Sequence, residues 1–220
     1  MMAQVGRVGR ALGPKGLLLC RIHISEPTSL QLMCGGGFVV FCLHVVGGGL
    51  THHPPAAVLL RLADAPDAEL IKHIQTIQSV VHAQDIALML EDRPALAART
   101  GCDGVHLSTG FAEASVKDVR KQIGDDLQLG VSVGGSRDAA MRAGEAGADY
   151  ISFSTAIPVV PAEGEAPESL TDLVRWWCLV MELPAVVEVE EPAQIAAFEE
   201  VGADFIQPGP AFWENPSLWP

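Results

Sequence analysis

Basic residues are scarce in this sequence, and long apolar runs are absent from it. Its 220 residues include 14 Lys and Arg against 27 Asp and Glu, which gives a formal net charge of −13. Because nucleic-acid binding depends on cations that neutralise phosphates, we expect no nucleic-acid partner. No apolar run reaches the roughly 18 residues of a membrane-spanning helix, so we expect no membrane partner either.

The cysteines form no recognisable framework. They are odd in number and scattered, and no two of them make a C-x-x-C pair: Cys20, Cys34, Cys42, Cys102 and Cys178. This pattern argues against a disulfide scaffold and against a zinc site. The reducing cytoplasm is therefore the compartment that we predict.

The chain divides into two parts of different character. Hydrophobic residues make up 49% of it, enough for one substantial core. Residues 1–50 are basic and glycine-rich and show no sustained period of 2 or 3.6. We predict an irregular segment over residues 1–50, for which a non-native start is one explanation, and a single barrel domain over residues 51–220.

A short motif recurs three times, as Gly101-Cys102-Asp103, Gly147-Ala148-Asp149 and Gly202-Ala203-Asp204. Each copy follows a helix-like stretch and precedes a short apolar run. Glycine can take the left-handed conformation that ends a helix, and the aspartate then begins the next strand. The motif predicts a repeating β/α unit, with the three aspartates as structural residues at the amino ends of the strands.

From residue 56 onward, short apolar runs alternate with amphipathic stretches, which is typical of an α/β fold with a parallel sheet. Seven strands are predicted, over residues 57–62, 86–90, 104–107, 129–133, 150–153, 185–189 and 204–207. A closed (β/α)8 TIM barrel needs eight strands. The first strand must therefore come from the irregular segment, and the barrel is predicted to be incomplete at both ends.

In such a barrel, the active site lies at the carboxyl ends of the strands. This rule selects polar residues that follow or end the predicted strands: Arg61, Asp64, Glu91, Asp92, Arg93, His106, Ser108, Thr109, Ser132, Ser136, Ser152, Ser154, Thr155, Glu188, Glu190 and Gln207. Strand parity decides which of them point inward.

The block from Leu88 to Leu107, LMLEDRPALAARTGCDGVHL, resembles the thiamine phosphate synthase family, which includes thiazole tautomerases of the TenI type. Segments 129–133, 147–153 and 184–187 follow in the family's order, and the resemblance covers residues 56–213. It implies a reaction that joins hydroxymethylpyrimidine diphosphate to a thiazole phosphate and releases pyrophosphate. It also implies a magnesium ion and a small phosphorylated heterocyclic ligand.

The resemblance also implies site residues. Asp92 stands where the family places a magnesium ligand, and Arg61 stands where it places a pyrophosphate-binding arginine. Together with Arg61, His106 and Ser132 are the substrate-binding residues that it implies. No catalytic residue is assigned.

Several family residues are replaced in this chain. Leu59 and Ala63 replace a glutamine and a lysine, and Glu91 replaces an asparagine. A second metal-binding aspartate is missing, with Glu113 as the nearest carboxylate. Further differences fall at Gly134-Gly135, in the loop over residues 158–164, and at Glu188, Glu190 and Glu191, where the family has a phosphate-binding Gly-Gly.

The three glutamates would repel a thiazole phosphate, so we infer that this site does not bind it as the family does. A metal or a cationic ligand is the alternative occupant. Three functions stay open: a thiamine phosphate synthase with altered motifs, a non-catalytic or repurposed paralogue that binds a related ligand or acts as a regulatory partner, and another isomerase-type activity on the same scaffold. The sequence leaves the oligomeric state open, with a homo-oligomer as one option.

Overall fold

Strands and helices alternate along the chain in a computed structural model that describes residues 16–17, 19–24, 56–157 and 169–209. The strands are β1 (Gly16–Leu17), β2 (Leu19–Ile24), β3 (Ala57–Leu62), β4 (Ala87–Glu91), β5 (Gly104–Leu107), β6 (Gln128–Gly134), β7 (Tyr150–Ser154), β8 (Ala185–Val189) and β9 (Phe205–Pro208). The helices are α1 (Asp67–His82), α2 (Pro94–Thr100), α3 (Val116–Ile123), α4 (Arg137–Glu145), α5 (Leu170–Val180) and α6 (Pro192–Glu200).

All neighbouring strands of the sheet are parallel, in the order β1-β9-β8-β7-β6-β5-β4-β3-β2. The two end strands of this order are separated in sequence by residue 18 alone. Since β1 pairs with β9 and β2 pairs with β3, the sheet curls round until its edges meet. This confirms the predicted α/β barrel, and the seven predicted strands match β3 to β9 to within one residue at each end.

The strand that was missing from the sequence pattern lies in the N-terminal segment. Leu19–Ile24 pairs with Ala57–Leu62 over its whole length. Apart from β1 and β2, residues 1–50 lie outside the described residues, as do the predicted loop over residues 158–164 and residues 210–220. The division of the chain at residue 50 stays a prediction.

Alternation along each strand separates an outer layer from an inner one. On β3, Val58, Leu60 and Leu62 join the large apolar cluster between sheet and helices, which also contains Trp177 of α5. Ala57 and Leu59 instead join a small cluster inside the barrel with Met89, Val186 and Phe205. We call this small cluster the apolar floor. The next inward position on β3 is Arg61, so polar residues begin directly above it.

The Gly-x-Asp motif ties the amino ends of the strands together, as predicted. Gly101, Gly147 and Gly202 have φ of 72°, 101° and 92°, in the left-handed region. Each following aspartate accepts a hydrogen bond through Oδ2 from a main-chain N–H of the neighbouring strand. The pairs are Asp103 with Leu88 (2.8 Å), Asp149 with Leu129 (2.7 Å) and Asp204 with Ala185 (2.8 Å). These aspartates are therefore structural and lie away from the carboxyl ends of the strands.

Candidate functional site

Polar side chains line the inside of the barrel at the carboxyl ends of the strands. We call this set the polar ring: Arg61, Glu91, His106, Ser132, Ser152, Glu188 and Gln207. Glu91, His106, Ser152 and Gln207 are buried. The ring lies above the apolar floor, so the barrel presents a cup with an apolar base and polar walls. Small-molecule sites commonly have this construction, because apolar contact supplies affinity and a few polar groups fix orientation.

Arg61 and Glu91 form a two-pronged ion pair on adjacent strands. Nε of Arg61 donates to Oε2 of Glu91, and Nη2 donates to Oε1 at 2.7 Å. The Glu91 side chain is only 2% exposed, whereas that of Arg61 is 39% exposed. The hydrogen bond to Glu91, followed by the negative charges of Glu91, Asp92 and Glu188, raises the pKa of Arg61. Because a guanidinium has five N–H donors, Arg61 keeps donors for a ligand while Glu91 fixes its orientation.

Asp92 is held by a residue of the next strand's end. Its Oδ1 accepts from the main-chain N–H of Ser108 at 2.7 Å, and its Oδ2 accepts from the Ser108 hydroxyl at 2.6 Å. The backbone of Asp92 has a φ of 53°, a left-handed conformation that aspartate adopts more readily than most residues. The carboxylate is thus fixed at the mouth of the barrel, beside the Arg61–Glu91 pair.

His106 sits at the centre of a buried hydrogen-bonded row. Its Nδ1 is 2.9 Å from the Tyr150 hydroxyl, and its Nε2 is 2.8 Å from the Ser132 hydroxyl. The two rings also stack, with centroids 5.7 Å apart. Burial of the Tyr150 hydroxyl raises its pKa, so the hydroxyl stays protonated and can donate to Nδ1. That arrangement leaves the Nε2–H to donate to Ser132.

A glycine makes this row possible. In the sheet register, His106 is beside Gly130 and Gly130 is beside Tyr150. A Cβ at Gly130 would lie 1.9 Å from Cζ of Tyr150. The missing side chain therefore lets the Tyr150 ring cross β6 and reach His106 on β5, a typical use of glycine inside a strand.

The ends of β8 and β9 carry mostly hydrogen-bond acceptors. Nε2 of Gln207 donates to Oε1 of Glu188 at 3.2 Å. One step further up the barrel, the Glu190 carboxylate lies against Gly209, where a Cβ would come within 2.6 Å of Oε1. The main-chain N–H groups of Glu190 and Glu191 both donate to Oε1 of Gln194, at 2.9 and 3.0 Å. The Gln194 side chain of α6 thus accepts the hydrogen bonds that the main-chain N–H groups at the start of this helix donate.

Comparison with known proteins assigns the family. A family model described as thiamine monophosphate synthase matches residues 43–208. The chain belongs to the thiamine monophosphate synthase family. A thiamine-phosphate synthase of Rhodospirillum centenum is 38% identical over 168 residues, which cover 74% of this chain and 77% of that protein. One from Erythrobacter litoralis is 35% identical over 161 residues, which cover 72% and 75%.

Solved structures agree on the fold. Thiamine phosphate pyrophosphorylase from Pyrococcus furiosus superposes with a TM-score of 0.65 at 21% identity, covering 87% of this chain and 84% of that one. Tryptophan synthase of Mycobacterium tuberculosis gives 0.61 at 13% identity, covering 98% and 91%. Since one barrel hosts such different enzymes, these likenesses show the fold alone.

All four site residues predicted from the sequence lie at the carboxyl end of this thiamine monophosphate synthase barrel. Hydrogen bonding joins His106 directly to Ser132. Asp92 lies close enough to Arg61 for its charge to affect the arginine's pKa. Their roles in binding stay predictions.

Sequence reasoning missed three contacts in the site. It did not foresee that Glu91 would pair with Arg61, that Tyr150 would reach His106, or that Gln194 would accept from the amides of β8's end. Gly130, a glycine inside a predicted strand, was the available signal for the second contact. Glu113, the carboxylate nearest in sequence to the position of the missing second metal ligand, is exposed. Among the described residues, no three Asp, Glu, His or Cys side chains gather as a metal site, and no helix could span a membrane.

Proposed function

We propose that this protein transfers a hydroxymethylpyrimidine group from its diphosphate to the ring nitrogen of a thiazole, with release of pyrophosphate. The observation that carries the proposal is the placement of Arg61, Asp92, His106 and Ser132 on one rim above an apolar floor. The 38% identity to a thiamine-phosphate synthase supports the same reaction. Thiazole phosphate is the acceptor that the family resemblance implies.

The diphosphate would bind at the Arg61 side of the ring. Two of the arginine's five donors are used by Glu91, which leaves three to contact phosphate oxygens. The paired carboxylate reduces the net charge there but also fixes the guanidinium in place. Glu91 is therefore a positioning residue in this proposal.

A magnesium ion fits this site as an ion held jointly with the diphosphate. Asp92 supplies an anchored carboxylate, and Mg²⁺ is commonly bound by one or two carboxylates together with substrate phosphates and water. The ion would neutralise charge on the departing diphosphate. Asp92 is the described residue that would hold it, and Ser108 would keep that carboxylate oriented.

His106 and Ser132 would position the pyrimidine. A Tyr150 hydroxyl that donates to Nδ1 would hold the imidazole as the tautomer that donates to Ser132. The Ser132 hydroxyl is then free to donate its own proton to a ligand acceptor, such as a ring nitrogen. The half-buried position of Ser132 places this hydroxyl at the surface of the cup.

A non-catalytic, ligand-binding paralogue is the second candidate function. It is favoured by the internal partners of the key groups, since Arg61 is paired with Glu91 and both oxygens of Asp92 accept from Ser108. A synthase must offer these groups to its substrate. We assign the protein to the cytoplasm under either function, on the basis of its scattered cysteines.

Turnover separates the two functions. Purified protein would be incubated with MgCl2, hydroxymethylpyrimidine diphosphate and either thiazole phosphate or the thiazole alcohol, and pyrophosphate and thiamine products would be measured. We expect product formation, lost in Asp92→Ala and kept in Asp126→Ala, a control at an exposed position near the amino end of β6. If no pyrophosphate is released with either acceptor, while a precursor still raises the Tm, the non-catalytic function is correct.

A further inference from the structure

The main-chain N–H groups at the end of β8 already donate hydrogen bonds to other residues of this chain. Oε1 of Gln194 accepts from the N–H groups of Glu190 and Glu191, and the Thr155 hydroxyl accepts a second, longer bond of 3.3 Å from Glu190. Phosphate binding at the start of a helix needs such amides directed at the anion. Here a neutral side-chain oxygen occupies the position in which a phosphate oxygen would accept.

The adjacent side chains are also acceptors. The Glu190 carboxylate fills the space left by Gly209, and the Glu188 carboxylate lies one inward position below it. An ionised carboxylate has no proton to donate, and neither does a phosphate dianion. Among the described residues at this end of the barrel, a phosphate would therefore meet mostly oxygens where it needs donors.

Gln207 supplies an independent observation. It is 2% exposed, and its Oε1 accepts no hydrogen bond within the described part of the chain. Its Nε2 is committed to Glu188. A buried carbonyl oxygen without a donor is costly, so this atom is placed to accept from an N–H or O–H of a bound molecule or water.

We infer that the β8–β9 end of the barrel binds a hydroxyl group, and that the second substrate is an unphosphorylated thiazole alcohol. This inference rests on the proposed pyrimidine transfer and specifies its acceptor. The hydroxyl would donate to Oε1 of Gln207, with the Glu188 carboxylate as a second acceptor nearby.

The bonds that form and break are the same whether the acceptor is the thiazole alcohol or the thiazole phosphate. The lone pair of the thiazole nitrogen forms a bond to the pyrimidine methylene carbon as the carbon–oxygen bond to the diphosphate breaks. The bonding electron pair leaves with pyrophosphate, and the thiazolium nitrogen acquires the positive charge. The hydroxyl takes no part, so the product is thiamine instead of thiamine phosphate.

Calorimetric titration of the full-length protein with each acceptor tests the inference separately from turnover. We expect the thiazole alcohol to bind at least tenfold more tightly than thiazole phosphate. Gln207→Leu should weaken the binding of the thiazole alcohol by about fivefold to tenfold, which is the usual contribution of one neutral hydrogen bond to affinity. Circular dichroism melting would establish that this variant is folded.

The outcomes distinguish the inference from the function on which it rests. Pyrophosphate release with the phosphate acceptor alone would overturn the inference and leave the function standing. Binding of the alcohol that is weakened in Gln207→Leu, without turnover, would uphold the hydroxyl site and overturn the function. If neither acceptor binds, the inference is wrong.

A second variant tests why phosphate is disfavoured. Glu190→Gly combined with Gln194→Ala removes the carboxylate, frees the amide of residue 191 and leaves the amide of residue 190 only its longer bond to Thr155. We expect thiazole phosphate to bind at least tenfold more tightly to this variant than to the unaltered protein. Glu182→Gly, at an exposed bend before the other end of β8, is the matched control and should leave both affinities unchanged. Equal phosphate binding by all three proteins would contradict the inference.

Discussion

Replacing Gly130 with alanine should break the row that holds His106. The added Cβ would lie 1.9 Å from Cζ and 2.2 Å from Oη of Tyr150. Carbon atoms in contact prefer about 3.5 to 4.0 Å, so the Tyr150 ring would have to move by roughly 1.5 Å or more. That movement is incompatible with the 2.9 Å contact between Oη and Nδ1 of His106.

The loss of stability that we expect for Gly130→Ala has two causes. Overpacking a core costs about 1 to 3 kcal/mol, and leaving the buried His106 nitrogen without its partner costs about 1 to 3 kcal/mol more. The smaller entropy of an unfolded alanine offsets about 0.4 to 1 kcal/mol of this. We expect the free energy of unfolding to fall by about 2 to 5 kcal/mol, measured as a shift of the urea midpoint at constant m-value.

A double-mutant cycle decides whether the ring is the cause. In a Tyr150→Ala background, the same Gly130→Ala change should cost less than about 0.5 kcal/mol, because nothing then occupies the space. Gly110→Ala is the control, since its Cβ would meet only the Ser108 hydroxyl, at 3.7 Å. An equal cost for Gly130→Ala with and without the ring would refute the reasoning.

Four further predictions concern other parts of the barrel. Asp149→Ala should lower the free energy of unfolding by about 1 to 3 kcal/mol, because the main-chain N–H of Leu129 loses its acceptor, while kcat should not change. Ser108→Ala should raise the Mg²⁺ concentration needed for half-maximal activity, because one donor that orients Asp92 is removed. Burial raises the pKa of the Cys102 thiol from 9.0 to about 11, so iodoacetamide labelling of this residue, followed by peptide mass spectrometry, should be slow at pH 8. Since the unfolded thiol ionises first, the Cys102 contribution to stability should be complete below pH 9 and decline above it.

Much of the fold could be predicted because its signals are local. A left-handed glycine followed by an aspartate ends one unit and starts the next, and this holds at Asp103, Asp149 and Asp204 alike. Strand β2, Leu19–Ile24, could not be predicted in this way, because it lies in a segment without periodic patterning. Its place in the sheet depends on pairing with β3, which is distant in sequence.

The sequence predicted where the site lies, but it did not predict which of its side chains pair with each other. Since the carboxyl ends of parallel strands meet at one rim, Arg61, Asp92, His106 and Ser132 had to lie together. Glu91 looked in the sequence like the loss of an asparagine. Only the structure shows that the strand register brings it to Arg61, 30 residues away.

The sequence by itself determined the barrel, its polarity and the face on which each strand residue lies, because strand alternation and helix termination are set by neighbouring residues. Only the tertiary structure decided which groups at the rim are already engaged. The contact of Tyr150 with His106 across Gly130 depends on the registers of three strands. The Gln207 oxygen, which has no partner within the described residues, likewise depends on how β9 packs against β8, because burial and hydrogen bonding are properties of the closed sheet and not of any one strand.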